Sequence, residues 1–337
     1  MERAQDLLVD STPSRDGALE EHLAISTQGL VKSYSGGRLH GRKPVRALQG
    51  VDLQVRQGEI FGFLGPNGAG KTTTIRCLLD LIRPDRGRLR VLGMDPQAEP
   101  VSVRSRVGYL PGELHLEENL TAEGALQYFN HLRHNRADWQ YVIQLARRLD
   151  LDLKTSIKNL SKGNKQKVGV IQALMHRPDL LLLDEPTFGL DPLMQREVLR
   201  LVEEAHQAGS TIFFSSHILS EVQEIAERVA IIRKGIVVEV AETASLIARA
   251  LRRIRVRFKQ PVDSSRLEGV PGVKILSRED GMSLFLQVEG DMDALVKALA
   301  DFPVRDLETE HPSLEEIFLA YYQEKGRPED YLIRSTE

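Results

Sequence analysis

Gly65-Pro66-Asn67-Gly68-Ala69-Gly70-Lys71-Thr72 fits the pattern G-x-x-x-x-G-K-[ST]. The apolar stretch EIFGFLG leads into it, and KTTTIRCLLDLI, with helical periodicity, leads away. A strand that ends in glycines and opens a helix can turn successive N–H groups inward around a phosphate, and the helix start adds partial positive charge. In that setting Lys71 reaches the β- and γ-phosphates and the Thr72 hydroxyl serves Mg²⁺, with Thr73 in the same binding set. Alone, the loop specifies nucleotide binding and nothing finer, since kinases, GTPases and motor ATPases share it.

The rest of the chain agrees with an α/β layout. LAISTQGLVKSY and ALQGVDLQV read as strands separated by a Gly- and Arg-containing loop. Residues 115–177 carry almost no strand signal. LTAEGALQYFNHLR and WQYVIQLARRLDL repeat apolar residues at i, i+3 and i+4, which predicts inserted amphipathic helices. Strand-helix alternation then resumes through DLLLLDEP, PLMQREVLRLVEEAHQAG and TIFFSSH, and VAIIRKGIVVEV reads as a hairpin turning at Lys234-Gly235. Alternation of this kind implies a largely parallel sheet covered on both faces.

Leu180–Leu183 is an apolar strand that delivers Asp184 and Glu185 at its C-terminal end, where ligands bind in open α/β sheets. With the phosphate loop upstream, Asp184 is assigned to Mg²⁺ and Glu185 to polarising the attacking water as general base. An isolated acidic pair here would equally suit a helix start.

Beyond Ser245 the pattern changes. IRVRFK puts Ile254, Val256 and Phe258 on one face and Arg255, Arg257 and Lys259 on the other, an outward basic face. VKILS and SLFLQV flank a hairpin loop ending at Gly281, while DALVKALA and SLEEIFLAYY read as helices, the second capped by Ser313 and Glu316. This predicts a small α+β domain over 246–325, between the nucleotide-binding region 23–245 and a tail at 326–337. Residues 1–22 read as a polar tail.

Composition removes several function classes. The 45 basic and 48 acidic residues leave a net charge of −3, which argues against non-specific nucleic-acid binding. One cysteine, Cys77, excludes a disulfide framework and a multi-cysteine metal site. No apolar run approaches the ~18 residues needed to span a bilayer, and the acidic start lacks a signal-peptide core. A cytoplasmic protein is expected, reaching any membrane through a partner.

Further motifs occur in a fixed order: Tyr34, the phosphate loop, Leu160-Ser161-Lys162-Gly163-Asn164, the Asp184-Glu185 strand, Phe188-Gly189-Leu190-Asp191 and His217. Singly, each has an ordinary explanation: Tyr34 as packing, Ser161 as a helix cap, His217 as a surface residue. In order, over residues 23–245, they resemble the nucleotide-binding subunit of an ATP-binding cassette (ABC) transporter. GYLPGE, LSKGNKQKV and PSLEEIFLAYY resemble the bacterial ABC-2 exporter subgroup in particular.

That resemblance implies a P-loop α/β core with an antiparallel β subdomain from residues near 23–55 and a helical subdomain at 115–177; because the recognisable phosphate-contacting motifs end at His217, the C-terminal α+β domain reads as an assembly or regulatory module. It implies ATP and Mg²⁺, a second ATPase subunit, identical or not, and an integral membrane permease at the inner face of the cell membrane. It further implies that Tyr34 stacks on adenine, that Ser161 and Gly163 contact the γ-phosphate of ATP on the second subunit, that Asp191 couples the two sites, and that His217 contacts the γ-phosphate. Lys162 and Asn164 depart from the usual Leu-Ser-Gly-Gly-Gln. Gly112 stands where the family usually has a glutamine, leaving Glu113 or water as the alternatives at the metal. The competing reading is a soluble ABC-type ATPase acting on nucleic acid or the ribosome.

Overall fold

Leu23–Tyr34 (β1), buried from Ala24 to Thr27, and Val45–Arg56 (β2), which alternates buried and exposed side chains from Leu48 on, pair antiparallel, Leu23 opposite Arg56 and Tyr34 opposite Val45. These coordinates are a computed structural model describing residues 22–35, 44–249, 252–288 and 292–310. The expected N-terminal tail, most of the loop between β1 and β2, the SLEEIFLAYY helix with its Ser313–Glu316 cap, and the C-terminal tail lie outside the described residues.

Two compact units divide the chain: 1–217 with 232–237, and 218–231 with 238–337. In the first, Ile60–Leu64 (β3) is buried throughout and leads through the phosphate loop into helix Lys71–Leu78 (α1). Arg86–Val91 (β4) then returns to β1 and completes an antiparallel sheet, β2-β1-β4. A short helix, Pro100–Arg106 (α2), precedes Val107–Leu110 (β5).

From β5 the described chain is helical as far as the next long strand: Ala122–Leu132 (α3), Trp139–Arg148 (α4), a single 3₁₀ turn, and Lys162–Leu174 (α5). Thr121, Asp138 and Ser161 each cap one of these helices with a side-chain oxygen. Leu180–Asp184 (β6), Pro192–Gln207 (α6) and Thr211–Ser216 (β7) follow. The strands lie in the order β5-β6-β7-β3, each pair parallel. Both faces are covered, so β3, β6 and β7 are wholly buried rather than alternating. Phe61 and Phe213 stack at 5.8 Å in this layer.

Leu219–Ile225 (α7) precedes Arg228–Arg233 (β8) and Ile236–Glu242 (β9). Lys234 and Gly235 both have positive φ, 49° and 78°, as a tight two-residue hairpin turn requires. Within the first unit, the Ile232–Val237 part of this hairpin continues the sheet beyond β3. There the Gly235 N–H donates to the Ala69 carbonyl at 2.8 Å, tying the turn to the phosphate loop.

Helix Thr243–Arg249 (α8) opens the remainder of the second unit. It continues as Arg252–Phe258 (β10), Ser265–Glu268 (α9), Val273–Glu279 (β11), Ser283–Val288 (β12), Asp293–Leu299 (α10) and Val304–Glu310 (β13). The antiparallel order β11-β12-β10-β13 gives the split βαββαβ arrangement called ferredoxin-like. Ile254, Val256 and Phe258 are buried with Leu284, Leu286 and Leu295. The opposite face of β10 is not the basic face expected. Arg255 pairs with Glu279 at 3.3 Å and Arg257 with Glu308 at 3.5 Å, so acids from β11 and β13 neutralise it.

Candidate nucleotide site

The phosphate loop needs its glycines for space as well as for turning. A Cβ on Gly65 would stand 2.6 Å from the Ile232 carbonyl oxygen, and one on Gly70, whose φ is 118°, would stand 2.8 Å from that of Ala47. Gly68 also has positive φ, 78°. Lys71 is 5% exposed, and its Nζ donates to the Gly65 carbonyl at 2.6 Å. The same Nζ lies 3.1 Å from Glu185 Oε1.

Asp184 ends β6 at 1% exposure, a buried charge that requires partners. The Thr72 hydroxyl donates to its Oδ2 at 2.6 Å, and the Ser215 hydroxyl donates to its Oδ1. Ser215 is a site residue that sequence reading misses. Its only signal is that TIFFSS, otherwise an apolar strand, ends in two serines that are both buried.

Glu185, the residue after β6, has φ 54°, a left-handed conformation costing about 1–3 kcal/mol for a non-glycine residue. Three contacts hold it there. Its N–H donates to the Ser215 carbonyl at 3.0 Å, its carbonyl accepts from Gln166 Nε2 at 3.1 Å, and its Oε2 accepts from His217 Nδ1 at 2.5 Å. Glu185 Oε1 is buried without an aligned hydrogen bond, despite its proximity to Lys71. Gln166, 6% exposed, is the second residue that sequence reading misses; nothing in its spacing distinguishes it from a helix-surface glutamine.

Lys71, Thr72, Gln166, Asp184, Glu185 and His217 border one cavity of about 790 Å³, whose lining also includes Gly112, Lys162 and Lys165. A Cβ on Gly112 would stand 3.2 Å from Asp184 Oδ2, so this backbone runs beside the carboxylate without covering it. The Thr72 hydroxyl and Asp184 are hard oxygen donors at the loop, and among the described residues no cluster of three or more His, Cys, Asp or Glu forms a protein-only metal cage. That donor set fits Mg²⁺, which takes one or two protein oxygens and completes its shell with phosphate and water.

The other expected residues are placed differently. Tyr34 ends β1 with its ring 41% exposed and its hydroxyl 3.4 Å from Thr73 Oγ1. The Ser161 hydroxyl accepts from the Asn164 N–H at 3.2 Å, and Asp191 Oδ1 accepts from the Leu193 and Met194 N–H groups, each at 3.1 Å. These are helix caps, and none joins the Lys71–Glu185–His217 chain. A Cβ on Gly163 would stand 2.7 Å from the Gly189 carbonyl oxygen, so the start of α5 is packed against the Phe188–Asp191 turn.

A family model for ABC transporters matches residues 48–188, and one for the C-terminal domain of DrrA1-3-like ATP-binding proteins matches residues 219–322. The chain is 34% identical to the daunorubicin/doxorubicin resistance ATP-binding protein DrrA of Streptomyces peucetius, over 93% of this chain and 95% of the relative. It is 37% identical to the bacitracin transport ATP-binding protein BcrA of Bacillus licheniformis, over 64% of this chain and 68% of the relative. Among solved structures, the ATP-binding subunit of an ABC transporter matches with TM-score 0.59 and 28% identity, over 66% of this chain and 91% of that one. A dimeric, post-hydrolysis ATP-binding cassette bound to ADP and Pi shares the fold, with TM-score 0.56 and 22% identity over 65% of this chain and 98% of that one. A glycine-rich loop that turns its lysine onto a glutamate one residue beyond a buried aspartate, together with matches spanning both units, places this chain in the ABC transporter family, as an ATP-binding ATPase subunit with a DrrA-like C-terminal domain.

Proposed function

We propose that two such subunits close over two Mg-ATP and so drive a separate membrane permease in the direction of export. The observation that carries the hydrolytic part is Glu185. One carboxylate oxygen is anchored by His217, while the other is buried beside Lys71 and lacks an aligned hydrogen bond. When phosphate oxygens draw Lys71 away, Oε1 is the carboxylate oxygen released to accept a proton from a water attacking in line. Lys71 and the loop N–H groups hold the β- and γ-phosphates, and His217 bears on the γ-phosphate. Thr72 and Asp184 would hold Mg²⁺, which when bound neutralises the charge developing on the phosphoryl oxygens. Tyr34, at the edge of the loop, stacks on the adenine.

Export is supported by the relatives, one named for drug resistance and the other for bacitracin transport. Among the described residues no helix is long and apolar enough to cross a membrane. In this reading the chain reaches the cytoplasmic face of the membrane through its permease. A hollow of about 380 Å³, lined by Leu81, Tyr109, Leu114, Phe129 and Gln172 among others, suits the permease helices. Residues 246–325 act as an assembly or regulatory module. The helices inserted between β5 and β6 are 11, 10 and 13 residues long, too short for the coiled-coil arm of a DNA-repair ATPase.

Composite sites are tested by mixing lesions. In a dimer of a Lys71→Ala chain and a chain with Ser161 and Gly163 replaced, one site carries both lesions and the other is intact. One occluded ATP per mixed dimer is expected; none or two would refute the arrangement.

A further inference from the structure

We propose that the outer edge of β4 is a docking site for this chain's own residues 6–10, the acidic stretch DLLVD, which adds there as a fourth strand of the antiparallel sheet.

β4 lies at the end of the order β2-β1-β4, so among the described residues no strand meets its outer side. Such an edge is a template for a further extended segment. Leu89 and Val91 are buried on one face of β4, while Arg86, Arg88 and Arg90 are exposed on the other. Two-residue spacing sets these like charges only about 7 Å apart along the strand. Among the described residues no carboxylate pairs with any of the three. The acids close to them in the chain are engaged elsewhere. Asp85 accepts from Lys32 Nζ at 3.0 Å and from the Ser33 N–H at 2.6 Å, and Asp95 accepts from the Gln97 N–H at 2.8 Å. Arg90 donates to the Gly93 carbonyl at 3.0 Å, which leaves its charge uncompensated. A hollow of about 190 Å³ beside the edge is bordered by Gly87, Arg88, Arg90 and Gln97 among others.

Two arginine edges repel one another, so a second copy of β4 does not suit this site, whereas an acidic strand does. Residues 1–21, which lie outside the described residues, contain six acidic and two basic residues. They enter the sheet at its arginine end. β1 begins at Leu23 and pairs with β4 through Ile25 opposite Val91 and Ser26 opposite Arg90. The Ala24 carbonyl accepts from the Leu92 N–H at 2.8 Å at the same end. The acidic segment therefore leaves the strand that neighbours β4.

DLLVD carries the matching alternation, with Asp6 and Asp10 on one face and Leu7 and Val9 on the other. Laid along β4, the aspartates meet the arginines, and Leu7 and Val9 extend the buried row of Leu89 and Val91. Leu8 lies over the aliphatic stems of the arginines. A slip by one residue would set Leu7 and Val9 among the charges, so burial fixes the register. The linking residues 11–22 include Pro13 and Gly17 and have only about 10 Å to cross, two strand spacings.

The test is amide hydrogen exchange in the full chain, with a free peptide of residues 1–21 as reference. We expect the Leu7–Asp10 amides to exchange about ten-fold more slowly in the chain than in the peptide, and the difference to shrink at high salt. Arg88→Glu with Arg90→Glu should bring them to the peptide rate, as should Asp6→Lys with Asp10→Lys. Combining all four substitutions should restore the protection, which a general loss of folding cannot do. Failure to restore it would overturn the charge pairing. Melting temperature identifies any variant that misfolds, and the Asp6 and Asp10 pair, outside the described sheet, keeps the test open in that case. Exchange at the peptide rate in the unaltered chain would overturn the proposal. Protection that vanishes on dilution would overturn it by assigning the edge to another chain's segment. Binding of the unaltered chain to phosphatidylserine vesicles, abolished by the Arg88 and Arg90 reversal, would overturn it by assigning the edge to lipid headgroups.

Discussion

Glu185 occupies a costly conformation in order to touch two groups that oppose one another in function. His217 aims it, while Lys71, 3.1 Å away, attracts the same carboxylate that phosphate oxygens would displace. Glu185→Gln should therefore do two things. Hydrolysis should fall about 10²–10⁴-fold through loss of the base. ATP affinity should rise a few-fold, because a neutral amide competes less for Lys71. Phosphate release and equilibrium ATP binding measure the two separately, and normal turnover would place the base elsewhere. Ser215 makes a different case. Ser215→Ala removes one donor from a carboxylate that is 1% exposed, and should cost about 1–3 kcal/mol in denaturant unfolding. Lys71, Asp184 and Glu185 were legible because each lies at or beyond the end of a strand within a short linear pattern. Ser215 and Gln166 were not, because their roles arise from the pairing of Asp184 with Ser215 across parallel strands and from the packing of α5.

At the scale of elements, sequence reading overlooks three strands, β4, β5 and β13, and all three are edges of their sheets. β4 reads RGRLRV and β13 reads VRDLETE. Each lies at the end of its sheet, where charged side chains discourage further pairing and blur the period-two apolar signal. The end of α5 carries a testable titration. His176, just past that helix, has its pKa lowered to about 4, chiefly by burial and further by the charge of Arg133. In an unfolded chain the ring protonates near 6.5. Between those values the unfolded chain binds more protons, so stability should decline as pH falls from 6.5 to about 4 and then level off. Residual solvent contact limits this contribution to about 1–2 kcal/mol. Urea midpoints across that range, compared with those of His176→Asn, isolate it; parallel curves for the two proteins would contradict the assignment.

For the whole molecule, a net charge of −3 bears on whether the chain can meet a membrane directly, as opposed to through the proposed permease. A polybasic surface is one route, worth about 1 kcal/mol per lysine or arginine near anionic lipid. Sequence alternation along IRVRFK invites that reading, because Arg255, Arg257 and Lys259 fall on one face. The register removes it. Arg255 stands opposite Glu308 and Arg257 opposite Asp306, so these two arginines face acids on β13. Opposite charges directly across a strand pair support the sheet by about 0.2–1 kcal/mol each, and charge spent in this way is not available to headgroups. Only long-range pairing reveals this, since β10 and β13 are separated in the chain by all the intervening elements of the unit. The full chain should therefore fail to float with phosphatidylserine vesicles at physiological salt, yet float with vesicles into which its permease has been reconstituted. Replacing Asp306 and Glu308 by Asn and Gln should convert the same face into a basic one and produce salt-sensitive vesicle binding. Flotation of the unaltered chain with anionic vesicles alone would show that the arginines are open to lipid, and that the cross-strand pairing does not neutralise them.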